Sequence, residues 1–571
     1  MDFLSGKSLL QILKIMSNYN YTYFTILLLL AGANLSAQCF TTFFQEGRRL
    51  VEVNAYENAI AQFRAAARCP DMTSKQRAEV EQAIEEAQQG YITSINEARR
   101  RAEEAQKRAE EQAEIARRQL LLTEANRLAF LADQELESEN LSDGLSLAYL
   151  AYRQIDSMLI AKVKLSFGDA VYRNFRRDLD VGESRQSGAV FSPDGRRLLV
   201  RTTDQEVLIW DLEGSQKTVL EGHQGPVYAL VFSPDGGQIL TGDIDGTIRI
   251  WNVAGALQKT VEGHTGEASG FDYSPGAKQI LSWSRDGTAR LWDSHGQSLA
   301  VLRIHTAPIL NACFSPDGGA ILTHSADRTV GLWDKNGRLI RQLQHDGPIY
   351  TARFSPDGRS VLTTSADGKA VLWDKQGNNI ATLDHADALV PAGGFVPGQA
   401  KIFTASSDGY LRFWDQTGRE LKSVAAHREM IASAGASADG NYLFTLSRDQ
   451  TIKLWDAEGN QIAELAQHTG TILDARFSPD GQRLLSVAED GLIKIWDLEG
   501  EVVMNLSDTG SGFWRAAFSP DGRQVAGLLR NGRVVLAPMP NVIYTEFQAG
   551  RRLVPQLSRE KEVRYGLLRE N

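Results

Sequence analysis

The side chains able to do chemistry in this chain of 571 residues recur at near-constant intervals. Seven of the nine histidines, His223, His264, His305, His345, His385, His427 and His468, stand nine or ten residues ahead of a recurring phrase and so belong to a repeat. His295 lies in a Gly-rich turn and His324 near the end of a strand-like run, and neither has partners at metal-ligand spacing. Asp194, Asp235, Asp317, Asp357, Asp480 and Asp521 occupy Ser-Pro-Asp-Gly turns. Isolated turn carboxylates do not supply the about six oxygens that calcium takes. Three cysteines without a Cys-x-x-Cys pair argue against structural zinc. Ser5-Gly-Lys-Ser8 echoes a phosphate loop, but the loop's first glycine would have to fall at Met1, with no strand before it. Neither Gly-x-Ser-x-Gly nor a kinase signature occurs. The residues therefore assign no catalytic group, no metal and no cofactor. A net charge of −10 without a dominant basic patch argues against nucleic acid as a partner. Hydrophobic and charged contents of 42% and 23% are those of an ordinary globular protein.

The recurring phrase reads Phe-Ser-Pro-Asp-Gly, an apolar run, Ser-x-Asp-Gly-Thr and a closing Trp-Asp. It opens at Phe191, Phe232, Tyr273, Phe314, Phe354, Phe395, Ala436, Phe477 and Phe518, in steps of 41 residues and once 40. It closes 19 residues later at Trp210, Trp251, Trp292, Trp333, Trp373, Trp414, Trp455 and Trp496, with Ala537 in the ninth copy. Val227–Phe232 reads as a strand buried on both faces, Ser-Pro-Asp-Gly as a turn, and Thr247–Asn252 as an alternating, half-buried strand. A period of this length with Trp-Asp signatures means propeller blades, each a small antiparallel sheet.

These motifs resemble the WD40 repeat family over well over half the chain. The resemblance implies a mainly β fold. The expected architecture is a WD40-type β-propeller of nine repeat units in nine or eight blades, preceded by a helical hairpin and a long helix. A strand at Arg177–Val181 would close the ninth unit. The resemblance also implies that each His joins a Ser or Thr, an Asp and the Trp in a hydrogen-bonded tetrad. The complete sets are expected at His264/Ser284/Asp286/Trp292, His305/Ser325/Asp327/Trp333, His345/Ser365/Asp367/Trp373, His385/Ser406/Asp408/Trp414 and His427/Ser447/Asp449/Trp455. Gly182 for His in the first unit, Asp243 and Ala488 for Ser in the second and eighth, and a ninth unit lacking both His and Trp predict blades held by packing.

Repeated columns serve the fold, and variable columns on the rim serve recognition. Four residues before the opening aromatic, the column reads Ser187, Tyr228, Ser269, Leu310, Tyr350, Pro391, Ala432, Leu473 and Trp514. Aromatics and Arg dominate interface hot spots. Tyr228, Tyr350, Trp514, Trp283, Arg285 and Arg448 are therefore the candidate partner-binding residues, with local packing between blades as the alternative for each. The expected function is a non-enzymatic scaffold presenting a rigid rim to a protein or peptide. A channel-binding sensor, a propeller hydrolase or a glycan-binding protein is the alternative, which ionisable residues converging on the channel would favour.

The front of the chain divides at composition changes. Residues 1–37 read as a secretory signal, with Lys7 and Lys14, the apolar run Tyr23–Ala31, and a small-x-small pattern ending at Ala37. Export to a periplasmic or secreted location follows, with no membrane span after cleavage. An uncleaved anchor and a lipoprotein acylated at Cys39 are the alternatives. Residues 38–72, with Tyr56, Ala59, Ile60, Phe63 and Ala66 on one helical face, resemble a tetratricopeptide unit or a generic hairpin. In such a hairpin Cys39 and Cys69 share one end, and a disulfide is expected there; Cys313 is expected as a buried free thiol. Residues 73–122 form a long charged helix with a stripe at Ala98, Ala102, Ala105, Ala109, Ala113 and Ala116. It is either a dimerising coiled coil or a solitary spacer held by i,i+4 ion pairs. Residues 123–172 resemble the helical connector before propellers of bacterial signalling proteins. Residues 173–545 form the propeller, and 546–571 a helical tail.

Overall fold

A computed structural model describes residues 36–70, 72–154, 160–179, 186–202, 206–213, 216–508 and 510–568. The secretory-signal reading falls on residues outside these, except for the start of the first helix. The chain divides into two compact units, the first ending at Leu120 and the second beginning at Leu121.

In the first unit α1 (Ser36–Glu52) and α2 (Tyr56–Ala66) form a hairpin, followed by the start of α3 (Ser74–Glu137). Phe40, Ala59, Phe63 and Ala66 of the hairpin share a core with Val80, Ala83 and Ala87 of α3. Gly47 admits the Phe63 ring, which a Cβ there would meet at 2.6 Å. Thr73 and Gln76 form a reciprocal cap: the Gln76 N–H donates to Thr73 Oγ1 at 3.2 Å and the Thr73 N–H to Gln76 Oε1 at 2.9 Å. A disulfide joins Cys39 to Cys69, with their Cα atoms 6.1 Å apart. From residue 92 to residue 120 every side chain of α3 is exposed. Arg99–Glu103, Arg100–Glu104 and Glu97–Arg101 pair there at i,i+4. The helix runs past residue 122, where composition suggests a boundary, because nothing in Leu121-Leu-Thr-Glu-Ala breaks it.

In the second unit the end of α3 packs with α4 (Leu141–Gln154), α5 (Ala161–Phe175), α6 (Pro540–Gln548) and α7 (Arg559–Arg564). Leu128, Leu145, Phe167, Ile543 and Tyr565 share that core. The last strand ends at Pro538, so the terminal helices begin before the expected residue 546. Among the described residues the strands form nine four-stranded antiparallel sheets. Blade five is typical, with strands a to d at Ile349–Phe354, Ser360–Ser365, Lys369–Asp374 and Asn379–Asp384. Blade nine takes its a, b and c strands from Phe513–Phe518, Gln524–Leu529 and Val534–Pro538, and its outer strand from Arg177–Leu179. That pairing aligns Arg177 with Leu536 and Leu179 with Val534 and closes a nine-bladed ring; Asp180 and Val181 lie outside the described residues.

Across blade boundaries the a strands touch one another, as do Ala268–Tyr273 with Val227–Phe232 and Ile309–Phe314, so they line the axis and the d strands face outward. Helix α5 covers the outer strand of blade eight, Val502–Leu506. The approach is close enough that a Cβ on Gly168 would lie 1.8 Å from the Val503 carbonyl oxygen. Asp169 accepts the Asn505 backbone N–H at 2.9 Å, and burial pushes its carboxyl up to about 6. Lys164 pairs with buried Asp497 at 2.6 Å. This blade edge is thus covered by its own chain, a usual protection for an exposed strand.

Candidate functional site

The polar network between strands runs through a different hydroxyl from the expected one. In blade five Trp373 Nε1 donates to Thr363 Oγ1 at 2.8 Å, and that hydroxyl meets His345 Nε2 at 2.8 Å, while His345 Nδ1 meets Asp367 at 3.0 Å. Because Nδ1–H donates to the carboxylate, Nε2 accepts from the threonine hydroxyl. Val361 lies opposite Trp373, and Thr363 is two residues further on the same face. The bridging groups in blades three, four, six, seven and eight are likewise Ser282, Thr323, Thr404, Thr445 and Ser486. Ser284, Ser325, Ser365, Ser406 and Ser447, the expected members, instead tie down turns. The Ser284 hydroxyl donates to Gly266 O at 2.9 Å and accepts the Asp286 N–H at 3.0 Å.

His264 reaches Asp286 at 3.2 Å, His305 reaches Asp327 at 3.4 Å and His427 reaches Asp449 at 2.9 Å. Trp292, Trp333 and Trp455 donate to their hydroxyls at 2.9, 3.0 and 2.9 Å. Blade six departs: His385 Nδ1 meets Leu383 O at 2.9 Å, and Asp408 is held by Arg412 at 2.6 Å and by Ser406 at 2.5 Å. Trp414 still donates to Thr404. Blade eight, expected to lack the network because of Ala488, has it complete through His468, Ser486, Asp490 and Trp496. Blade two keeps Trp251 on Thr241, while buried Asp243 binds both His223 and Arg249. In blade one the corresponding residue is Val200, and Trp210 Nε1 has no partner among the described residues. Burial lowers the pKa of His264, His305, His427 and His468, and that of His385 and His324 to about 4, so these rings are neutral at pH 7.

The variable column has a structural identity that its spacing conceals. In eight a strands the pairing register slips by one residue, and the residue skipped is Ser187, Tyr228, Ser269, Leu310, Tyr350, Ala432, Leu473 or Trp514. Blade six has no slip, its strand starting after Pro391 at Ala392. A bulge leaves its extra residue unpaired and re-aims that side chain. Tyr228, Leu310, Tyr350 and Leu473 are accordingly 39%, 53%, 41% and 43% exposed. Trp514 is half-buried against the core of blades nine and one, with Arg515 stacked 4.8 Å from its ring centre. The b–c turns are bonded to the loops that lead into these bulges, as Arg285 N–H to Glu267 O and Arg448 N–H to Met430 O. Exposed Arg285 and Arg448 thereby stand on the same end of the ring, Arg285 paired with Glu267 at 3.2 Å. Trp283 does not join them. It is buried between blades three and four and lies over Gly270, where a Cβ would sit 2.1 Å from the indole.

The channel wall carries Asp272, Cys313, Arg353, Asp474 and Arg476 on its a strands. Asp272 accepts the Phe314 and Tyr273 N–H groups, and Asp474 pairs with Arg476 at 2.8 Å. Burial pushes the Cys313 thiol up to about 12. No group of three or more potential metal ligands occurs among the described residues. No helix among them is long and apolar enough to cross a membrane.

Nine radial sheets, inner strands on the axis and a Trp–hydroxyl–His relay define the class, a β-propeller. The model of the WD domain, G-beta repeat, matches residues 214–252, and that of the IFT122 first beta-propeller matches residues 253–497. Over residues 214–497 the chain thus carries repeats of the WD40 type. No curated protein matches it. Among solved structures it is similar to the computationally designed Ika8 protein, at 25% identity and a TM-score of 0.46 over 56% of this chain and 98% of that one. It is also similar to the C-terminal WD40 domain of Sif2, at 16% identity and a TM-score of 0.47 over 64% and 99%.

Proposed function

We propose that the protein is a non-enzymatic scaffold working outside the cytoplasm, whose bulge residues hold a protein or peptide partner. WD40 propellers are generally protein-interaction scaffolds. The observation that carries the reading to this surface is the bulge column, where the fold turns large apolar side chains outward from otherwise buried strands. Partner hot spots favour such residues. The wall carboxylates Asp272 and Asp474 are engaged within the wall, which favours recognition over channel chemistry. Export is supported by the Cys39–Cys69 bridge, since disulfides persist in oxidising compartments. The exposed Ala stripe of α3 serves as a spacer or as a dimer seam, which sedimentation of the intact protein distinguishes. Crosslinked capture followed by mass spectrometry tests the rim. Tyr228, Tyr350 and Trp514 replaced together by Ala abolish capture, while the melting temperature falls only by the packing that half-buried Trp514 gives up. Undiminished capture, or a triple variant that fails to fold, overturns the assignment.

A further inference from the structure

We propose that the part of the rim spanning blades nine, one and two binds an anionic side chain of the partner, set beside an apolar one. The inference rests on the rim reading above. Three arginines belong to this sector. Arg515 is exposed and lies against the Trp514 ring. Arg530 is exposed on the b–c turn of blade nine, and its N–H is bonded at 2.9 Å to Gly512 O, two residues before Trp514. Arg201, on the second strand of blade one, lies opposite Gly188, where a Cβ would come within 3.0 Å of its Nε. The missing side chain lets the guanidinium cross to blade two, where it donates to the backbone carbonyls of Tyr228 and, at 3.4 Å, Val227.

Among the described residues, Glu267 pairs with Arg285 at 3.2 Å while also facing the charge of Arg201, and Asp508 pairs with Arg533 at 2.8 Å. Burial first, and the positive charge of Arg515 second, lower the pKa of Arg201. An anion beside the Arg515 guanidinium offsets that repulsion and gains charge-assisted hydrogen bonds. Tyr228 and Trp514 flank the place with aromatic surface for a neighbouring apolar group. The same strand position in blades four, five, seven and eight holds Asn311, Thr351, Ser433 and Asp474, so at this position an arginine occurs in blade nine and in none of those four.

Selection of phage-displayed random peptides on the intact protein tests the proposal. Enriched sequences are expected to carry Asp or Glu within two residues of an aromatic or large aliphatic residue. Their binding should weaken with salt, fall about tenfold or more in Arg515→Glu, and largely survive Arg515→Lys. Resynthesis with phosphoserine in place of the acid identifies the source of the anion, since tighter binding assigns it to a phosphorylated segment and weaker binding to a carboxylate. Selection that yields no acidic bias, no peptide at all, or peptides indifferent to Arg515→Glu overturns the proposal. Peptides lost by the Tyr228/Tyr350/Trp514 triple variant but kept by Arg515→Glu sink the charge inference alone. Peptides kept by the triple variant sink the rim reading itself.

Discussion

Thr363 and Ser365 stand two residues apart in blade five and do different work. Thr363→Ala leaves Trp373 Nε1 and His345 Nε2 without their shared hydroxyl. Each orphaned buried group costs about 1–3 kcal/mol, so a loss of about 2–4 kcal/mol is expected. Ser365→Ala removes turn bonds to Gly347 O and the Asp367 N–H and should cost about 1 kcal/mol. Denaturant titration of the two variants gives the order. A second expectation concerns acid. His324 and His385 are held down to about 4 by burial, from an ordinary value of 6.5. The unfolded chain therefore takes up their protons before the folded one. Their contribution to stability is complete above pH 6.5 and is lost as pH falls from there to about 4. The melting temperature should drop across that window, and His324→Leu should flatten the slope. The tetrad was half legible in the sequence, since His, Asp and Trp stand in plain columns. Two hydroxyl columns compete, one eight and one ten residues before the Trp, and only the pairing of Val361 with Trp373 selects the second. Bulges are equally silent: the rim column was visible as variation, but its outward aim comes from a register slip that no spacing records. Trp283 looked like a rim residue because Gly270, which makes room for it, lies on another strand.

At the scale of elements, α5 is the piece whose removal should be felt furthest. Gly168→Val places a side chain against the Val503 backbone, which no rotamer relieves. A loss of about 3 kcal/mol or more is expected, with faster hydrogen exchange at Val502–Leu506. Gly144→Ala is the control, because its Cβ meets first the Leu136 side chain, which can move. Sequence periodicity announced helices here but neither their ends nor their partners. The long helix continues to Glu137 because composition changes without a breaking residue, and α5 runs unbroken through Phe-Gly-Asp, where the glycine is a contact.

Across the whole molecule, closure rests on three residues of backbone pairing. Leu179→Asp puts a charge into the buried seam between blades nine and one. Exchange at Val534–Leu536 should accelerate while blade five stays protected. The nine-unit count and the Arg177–Leu179 pairing were both readable, the first from the repeat and the second because the ninth copy had no outer strand left. The helical core beside blade eight was not, since it joins Phe167 to Ile543 and Tyr565 across most of the chain. This arrangement sets a timetable for synthesis. The strand that finishes the ring leaves the ribosome before any blade and waits, unmatched, until Val534–Leu536 follow. Helix α5 waits almost as long for its own strand. Throughout translation the nascent propeller is an open arc with an unsatisfied edge at its growing tip, a form in which edges find wrong partners. Chains halted anywhere before residue 534 should accordingly depend on chaperones and fall early to proteases, however well their completed blades have folded.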